Sequence, residues 1–141
     1  MKVQIKLIDK SLPIPEYKTT GSVGFDLYCR NDETIGPHEV KKMPANLVVK
    51  VPKGHYLMVE PRSSVVFKFG LIVIGGTIDQ DYCGETDEIH ITVYNVKNEM
   101  VKLERGTRIA QGIFSKISKV DFKSVSRMGK VSRGGFGTTG Y

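Results

Sequence analysis

Asp79 and Asp81 stand two residues apart in Gly76-Thr77-Ile78-Asp79-Gln80-Asp81-Tyr82-Cys83-Gly84, between two apolar stretches. The segment reads as a β-hairpin or a tight loop. On a strand, side chains two residues apart point the same way. Held close, two carboxylates repel, and one pKa rises toward the range of a general base. A polar hairpin tip has the same composition, so the residues alone leave both readings open.

Three more clusters carry paired readings. Asp26, in Gly24-Phe25-Asp26-Leu27-Tyr28, is either a turn residue beside a glycine or a partner for a metal-bound water. In Pro61-Arg62-Ser63-Ser64, a serine is either a helix N-cap or, beside the guanidinium, part of a phosphate cradle at a helix start. Arg105-Gly106-Thr107-Arg108-Ile109-Ala110-Gln111 is a turn entering a strand. Its arginines either serve phosphate or face solvent. The last stretch, SRGGFGTTGY over residues 132–141, is a disordered end or a flap. Glycines let backbone N–H groups approach phosphate, and Thr138 and Thr139 add hydroxyl donors. Phe136 has no core to join there, which points to stacking on something flat. No GxxxxGK[ST], GxSxG or HExxH motif occurs, which removes the phosphate-binding loop, hydrolase-elbow and zincin chemistries. His38, His55 and His90 have no ligand spacing and read as surface or structural residues.

Strands must position these clusters. Val3, Ile5 and Leu7 alternate with polar residues, as do Leu47, Val49 and Val51, and Ile89, Ile91 and Val93, the two-residue period of a half-buried strand. His55 to Val59, Leu71 to Ile74 and Ile109 to Phe114 read as further strands. Gly36-Pro37, Pro52-Lys53-Gly54, Gly75-Gly76 and Arg105-Gly106 supply turns. The expected class is all-β, a barrel or sandwich. Only Ser63 to Phe69 has room for a helix, of about two turns. From Ser124 the apolar pattern stops and Gly, Ser, Thr, Arg and Lys take over.

The chain has 141 residues, one domain's worth. At 40% hydrophobic and 26% charged it has a globular balance. Cys29 and Cys83 form neither a disulfide framework nor a zinc spacing, which points to reduced thiols in a cytoplasm. No apolar run reaches the ~18 residues of a membrane span, and lysines interrupt the N-terminal apolar run where a signal peptide needs it intact. The net charge of +6 favours anionic partners without choosing among them. With no aromatic-basic stacking platform, no stable nucleic-acid partner is expected.

Taken in order, GSVGFDLY, PRSS, GTIDQDYCGE, RGTRIAQ and RGGFGTTG resemble the five motifs of the homotrimeric dUTPase family, from about Gly21 to Gly140. The resemblance implies a jelly-roll-like β subunit over residues 1–123, a flexible arm over 124–141, and sites shared between subunits. It implies hydrolysis of dUTP to dUMP and pyrophosphate. Gly76, Thr77 and Ile78 would read uracil through their backbone, and Tyr82 would pack under the sugar. Asp79 would contact the 3′-hydroxyl and orient the attacking water. Arg62, Ser63, Ser64 and Gln111 would hold phosphates. The arm of another subunit would close over them, with Phe136 on uracil and Arg133, Gly135, Gly137, Thr138 and Thr139 along the phosphates. Mg²⁺ is implied on the triphosphate, reached by Asp26 through water.

Cys83 departs from the family's DYRGE pattern by replacing its arginine. Thr86-Asp87-Glu88 looks like an insertion, and GLIVIGGTID is compact and lacks an asparagine often found there. Arg133 lies three residues before Phe136, where the family pattern has five, so Lys130 competes for its role. Similar features in dUTPases of Gram-positive bacteria and their phages leave a repressor-binding regulatory protein as the alternative. The related dCTP deaminases are a weaker rival. They carry an arginine shortly after RSS and a glutamate in the strand after the hairpin. Here those places hold Val65-Val66-Phe67 and Ile89 to Asn95.

Overall fold

Alternation becomes strand at each place the sequence shows it. The computed structural model describes residues 1–135. Its elements run β1 (Ile5–Leu7), β2 (Phe25–Tyr28), β3 (Glu33–Ile35), β4 (Val40–Pro44), β5 (Leu47–Val49), β6 (His55–Pro61), α1 (Val65–Phe69), β7 (Leu71–Ile74), β8 (Gly76–Ile78), β9 (His90–Asn95), β10 (Val101–Leu103) and β11 (Arg108–Lys116). The fold is all-β and jelly-roll-like, and every strand pairing is antiparallel. In β9 the even alternation is complete: Ile91, Val93 and Asn95 are buried and the residues between them are half-buried. Leu27, Ile35, Met43, Leu47, Leu57, Leu71, Ile89, Ile91 and Ile109 are each under 2% exposed and fill the barrel. Each such aliphatic side chain contributes about 1.5–3 kcal/mol of burial.

Two sheets matter for the site. One has the order β2-β11-β6-β8 and the other β4-β9-β7. The sequence predicts a turn at Gly75-Gly76, but Gly76 opens β8 and only Gly75 separates it from β7. That single residue carries the chain from the second sheet to the first. A Cβ there would sit 3.1 Å from the Val59 carbonyl, a tight contact that the backbone would have to yield to, and a glycine avoids it.

The segment around Asp79 therefore differs from a hairpin. β8 pairs with β6, while β9 pairs with β4 and β7, so residues 79–89 connect two sheets. The short strands β3, β4 and β10 are additions to the sequence reading. Three of the five residues in Val40–Pro44 are polar or half-exposed neighbours of one buried Met43, too weak a pattern to stand out. The helix is five residues, starting at Val65 rather than Ser63. It stops at Gly70, whose left-handed φ of 69° lets its N–H reach the Val66 carbonyl, the arrangement that glycine adopts at no steric cost. Residues 118–134 carry no strand and are exposed. Among the described residues no helix is long and apolar enough to cross a membrane.

Candidate active site

Asp26 is the electrostatic centre of the first cluster. It sits in β2 and is 5% exposed, so its charge needs partners. Arg62 Nε lies 3.0 Å from its Oδ1, and Arg108 donates to its Oδ2 at 2.8 Å. Arg62 also donates to the Arg108 carbonyl at 3.2 Å, which locks the three residues together. Both arginine side chains remain about one-third exposed, at 32% and 38%, so each keeps guanidinium edge toward solvent. The sequence offers Arg108 as one of two arginines in the turn entering β11, but not as a partner of Asp26. Nothing local marks the pair, because β2 and β11 meet only through a pairing of distant strands.

Gln111 stands beside this cluster. In the sheet it is flanked by Asp26 on β2 and Glu60 on β6, so the three share one face. Its Nε2 donates to the Pro61 carbonyl at 3.0 Å. A Cβ on Gly24 would land 2.4 Å from Gln111 Oε1; the glycine of GFDLY leaves room for the glutamine of RIAQ. Ser63 and Ser64 are exposed. Ser64 occupies the N-cap position with no side-chain cap bond, so its hydroxyl is uncommitted. With only five helical residues behind it, the helix dipole is small, and Arg62 with the two hydroxyls is what this corner could offer an anion.

The second cluster surrounds Asp79. β8 ends at Ile78, so Asp79 and Asp81 sit in a turn rather than on a strand. The same-face expectation for the pair does not hold, because strand alternation ends with the strand. Tyr82 N–H reaches the Asp79 carbonyl at 3.4 Å, and Gln80 Nε2 pins the turn to the His55 carbonyl at 2.9 Å. His55, Tyr56, Thr77, Asp79, Gln80, Asp81, Ile117 and Lys119 line a cleft of about 640 Å³. β8 is the last strand of its sheet. One row of backbone groups along Gly76, Thr77 and Ile78 is therefore free of strand partners among the described residues, as on any sheet edge.

The two clusters do not meet within one chain. The Asp79 cleft contains none of Asp26, Arg62, Ser63, Ser64 or Gln111. β8 runs antiparallel to β6, with Gly76 opposite Val59 and Ile78 opposite Leu57. Asp79 thus lies by Tyr56 and Arg62 lies past the other end of β6, about 20 Å away at ~3.3 Å per residue. Arg133 is exposed and Gly135 half-exposed. Phe136, Gly137, Thr138 and Thr139 lie outside the described residues.

A family model described as dUTPase matches residues 10–140. The chain belongs to the dUTPase family. It is 40% identical over 146 residues to the deoxyuridine 5'-triphosphate nucleotidohydrolase of Finegoldia magna, covering 99% of this chain and 100% of that protein. The Helicobacter pylori counterpart is 36% identical, with 99% and 97% covered. The solved dUTPase of Staphylococcus bacteriophage 80alpha with dUPNHPP superposes with a TM-score of 0.89 over 99% of both chains, at 24% identity, and shares the fold. Four of the five dUTPase-like segments meet in one sheet: GFDLY is β2, RIAQ lies in β11, PRSS follows from the end of β6, and GTI is β8.

Proposed function

We propose that the chain is a dUTP diphosphatase, splitting dUTP to dUMP and pyrophosphate by attack of water on the α-phosphorus. The observation that carries this reading is the convergence of four separated motif segments on the single sheet β2-β11-β6-β8. The free edge of β8 offers backbone donors and acceptors from Gly76, Thr77 and Ile78 to uracil, in the way a base pair would. Tyr82 lies under the deoxyribose and leaves no room for a 2′-hydroxyl. Asp79 contacts the 3′-hydroxyl and takes a proton from the attacking water, a contribution of roughly 10²–10⁴-fold. Arg62, Ser63, Ser64 and Gln111 hold the phosphates; Arg108 joins Arg62 in countering their charge. The arm adds Arg133, Gly135, Phe136, Gly137, Thr138 and Thr139. Positioning and charge neutralisation do most of the work.

The separation of the two clusters supports a homotrimer, in which Asp79 of one chain faces Arg62 of the next and a third supplies the arm. Magnesium fits this reading through its donor chemistry. Among the described residues no three His, Cys, Asp or Glu side chains gather to hold a metal, and Mg²⁺ is commonly held by substrate phosphates and water. Asp26 uses one acceptor position on each oxygen for an arginine, and a carboxylate has about four, so it retains capacity for a metal-bound water. The ion would neutralise charge on the triphosphate. Free cysteines fit a reducing cytoplasm.

Pyrophosphate release from dUTP, UTP, dCTP and dTTP, with and without Mg²⁺, tests the reading. Release from dUTP alone, requiring Mg²⁺, is expected. Silence on dUTP, or ammonia from dCTP, overturns it.

A further inference from the structure

The Thr86-Asp87-Glu88 stretch looks like an insertion in the sequence, yet its last residue is buried. Glu88 is 7% exposed. Its Oε1 accepts from the Asn46 backbone N–H at 2.7 Å and from Arg30 Nε at 2.8 Å. Its Oε2 accepts from Arg30 Nη2 at 3.1 Å. Asn46 is itself 2% exposed and bonded through its side chain to both backbone groups of Asp9, at 2.6 and 3.0 Å. The carboxylate is thereby tied to a buried, hydrogen-bonded part of the barrel.

The backbone carbonyl of the same residue has another task. It accepts the Tyr82 hydroxyl at 3.1 Å and His90 Nδ1 at 2.8 Å. Between Tyr82 and Glu88 the loop is closed by Asp87, whose Oδ2 accepts the Gly84 N–H at 2.6 Å. We propose that Glu88 is a positioning residue for substrate selection, its Arg30-anchored backbone carbonyl holding the Tyr82 ring at the angle that excludes a ribose. The inference rests on the reading of Tyr82 as the sugar contact.

The physical need is plain. Tyr82 is 38% exposed on a loop, and its backbone N–H bond is long, at 3.4 Å. A ring held only at its base tilts and admits one extra oxygen. A ring tied at its far end to a buried point does not, and small misplacements matter greatly at a reacting site. The Thr86-Asp87-Glu88 stretch delivers the Glu88 carbonyl to that point.

Tyr82→Phe removes only the hydroxyl. Glu88→Gln keeps the shape and an acceptor for Asn46 while removing the charge that holds Arg30. The ratio of kcat/KM for dUTP over UTP is measured by pyrophosphate release, beside a thermal melt. Each variant is expected to lower that ratio roughly 2- to 10-fold, the scale of one hydrogen bond. The double variant should fall no further than the larger single effect, since both act through one contact. A merely structural Glu88 would slow both substrates alike, and an unchanged ratio in the two single variants overturns the inference. Tyr82→Ala separates the two levels. If it admits UTP while the subtler variants do not, only the Glu88 inference fails; if it still rejects UTP, the sugar-contact reading fails and takes the inference with it. Should Glu88→Gln not fold, Tyr82→Phe alone decides through the same ratio.

Discussion

Asp79 is exposed in a turn and lines a polar cleft together with Thr77 and Tyr56. Its exchange for asparagine keeps the shape and removes the base. Asp79→Asn is expected to slow pyrophosphate release roughly 10²–10⁴-fold and to shift the melt little, because exposed substitutions stay within about 0.5 kcal/mol. Near-normal turnover in this variant would move the base elsewhere. Cys29 shows the opposite environment. It is fully buried, and burial, with the Glu33 charge adding to it, pushes its thiol from an ordinary 9.0 up to about 12. The folded state thus keeps the neutral thiol. Below pH 9 both states are protonated and the group contributes nothing; above it the unfolded thiol ionises first and stability falls toward pH 12. Alkylation at pH 8 followed by mass analysis should mark the half-exposed Cys83 and spare Cys29 until denaturant is added. Native labelling of Cys29 would show that its site opens.

At the scale of elements, β11 is the spine of the sheet that carries four motif segments, pairing β2 on one side and β6 on the other. Its Gly112 lies opposite Phe25. A Cβ there would fall 2.4 Å from the Phe25 ring, whose centroid lies 5.7 Å from that of the tilted Phe114 ring and 5.9 Å from that of Tyr17, met edge-on. The glycine is what lets that ring lie over the sheet, next to the strand position that presents Gln111. Gly112→Ala is expected to destabilise by about 1–3 kcal/mol through overpacking, lowering the melting temperature by roughly 3–10 °C. An unaltered melt would mean that the aromatic cluster shifts freely.

The whole molecule raises the question of how many chains build one site. The cluster at Arg62 and the turn at Asp79 lie at opposite ends of β6. If each site takes one from each of two chains, two inactive variants can complement each other. Asp79→Asn and Arg62→Ala chains, unfolded together and refolded as a mixture, should regain about a quarter of wild-type turnover by random assortment in a closed ring. Separate refolding should regain none. No recovery on mixing, with trimers present by light scattering, would place both clusters of a site in the same chain.

Side-chain alternation was legible in the sequence because it is local: a two-residue period marks an extended segment before any partner is known. It marked β1, β5, β6, β7, β9 and β11, and the order of five motif segments named the family. β3, β4 and β10 escaped it because runs with so few apolar residues make no sustained period. What tertiary structure alone decided are the partners. Asp26 and Arg108 are 82 residues apart, and Arg30 and Glu88 are 58 apart; no window of sequence contains either pair. The turn at Asp79 looked like a hairpin because two apolar strands flank it. It joins two sheets because the packing of the whole core, distributed over all the strands, sets which edges meet. Residue types and order thus determined what chemistry this chain carries, and the pairing of distant strands decided where each half of it stands.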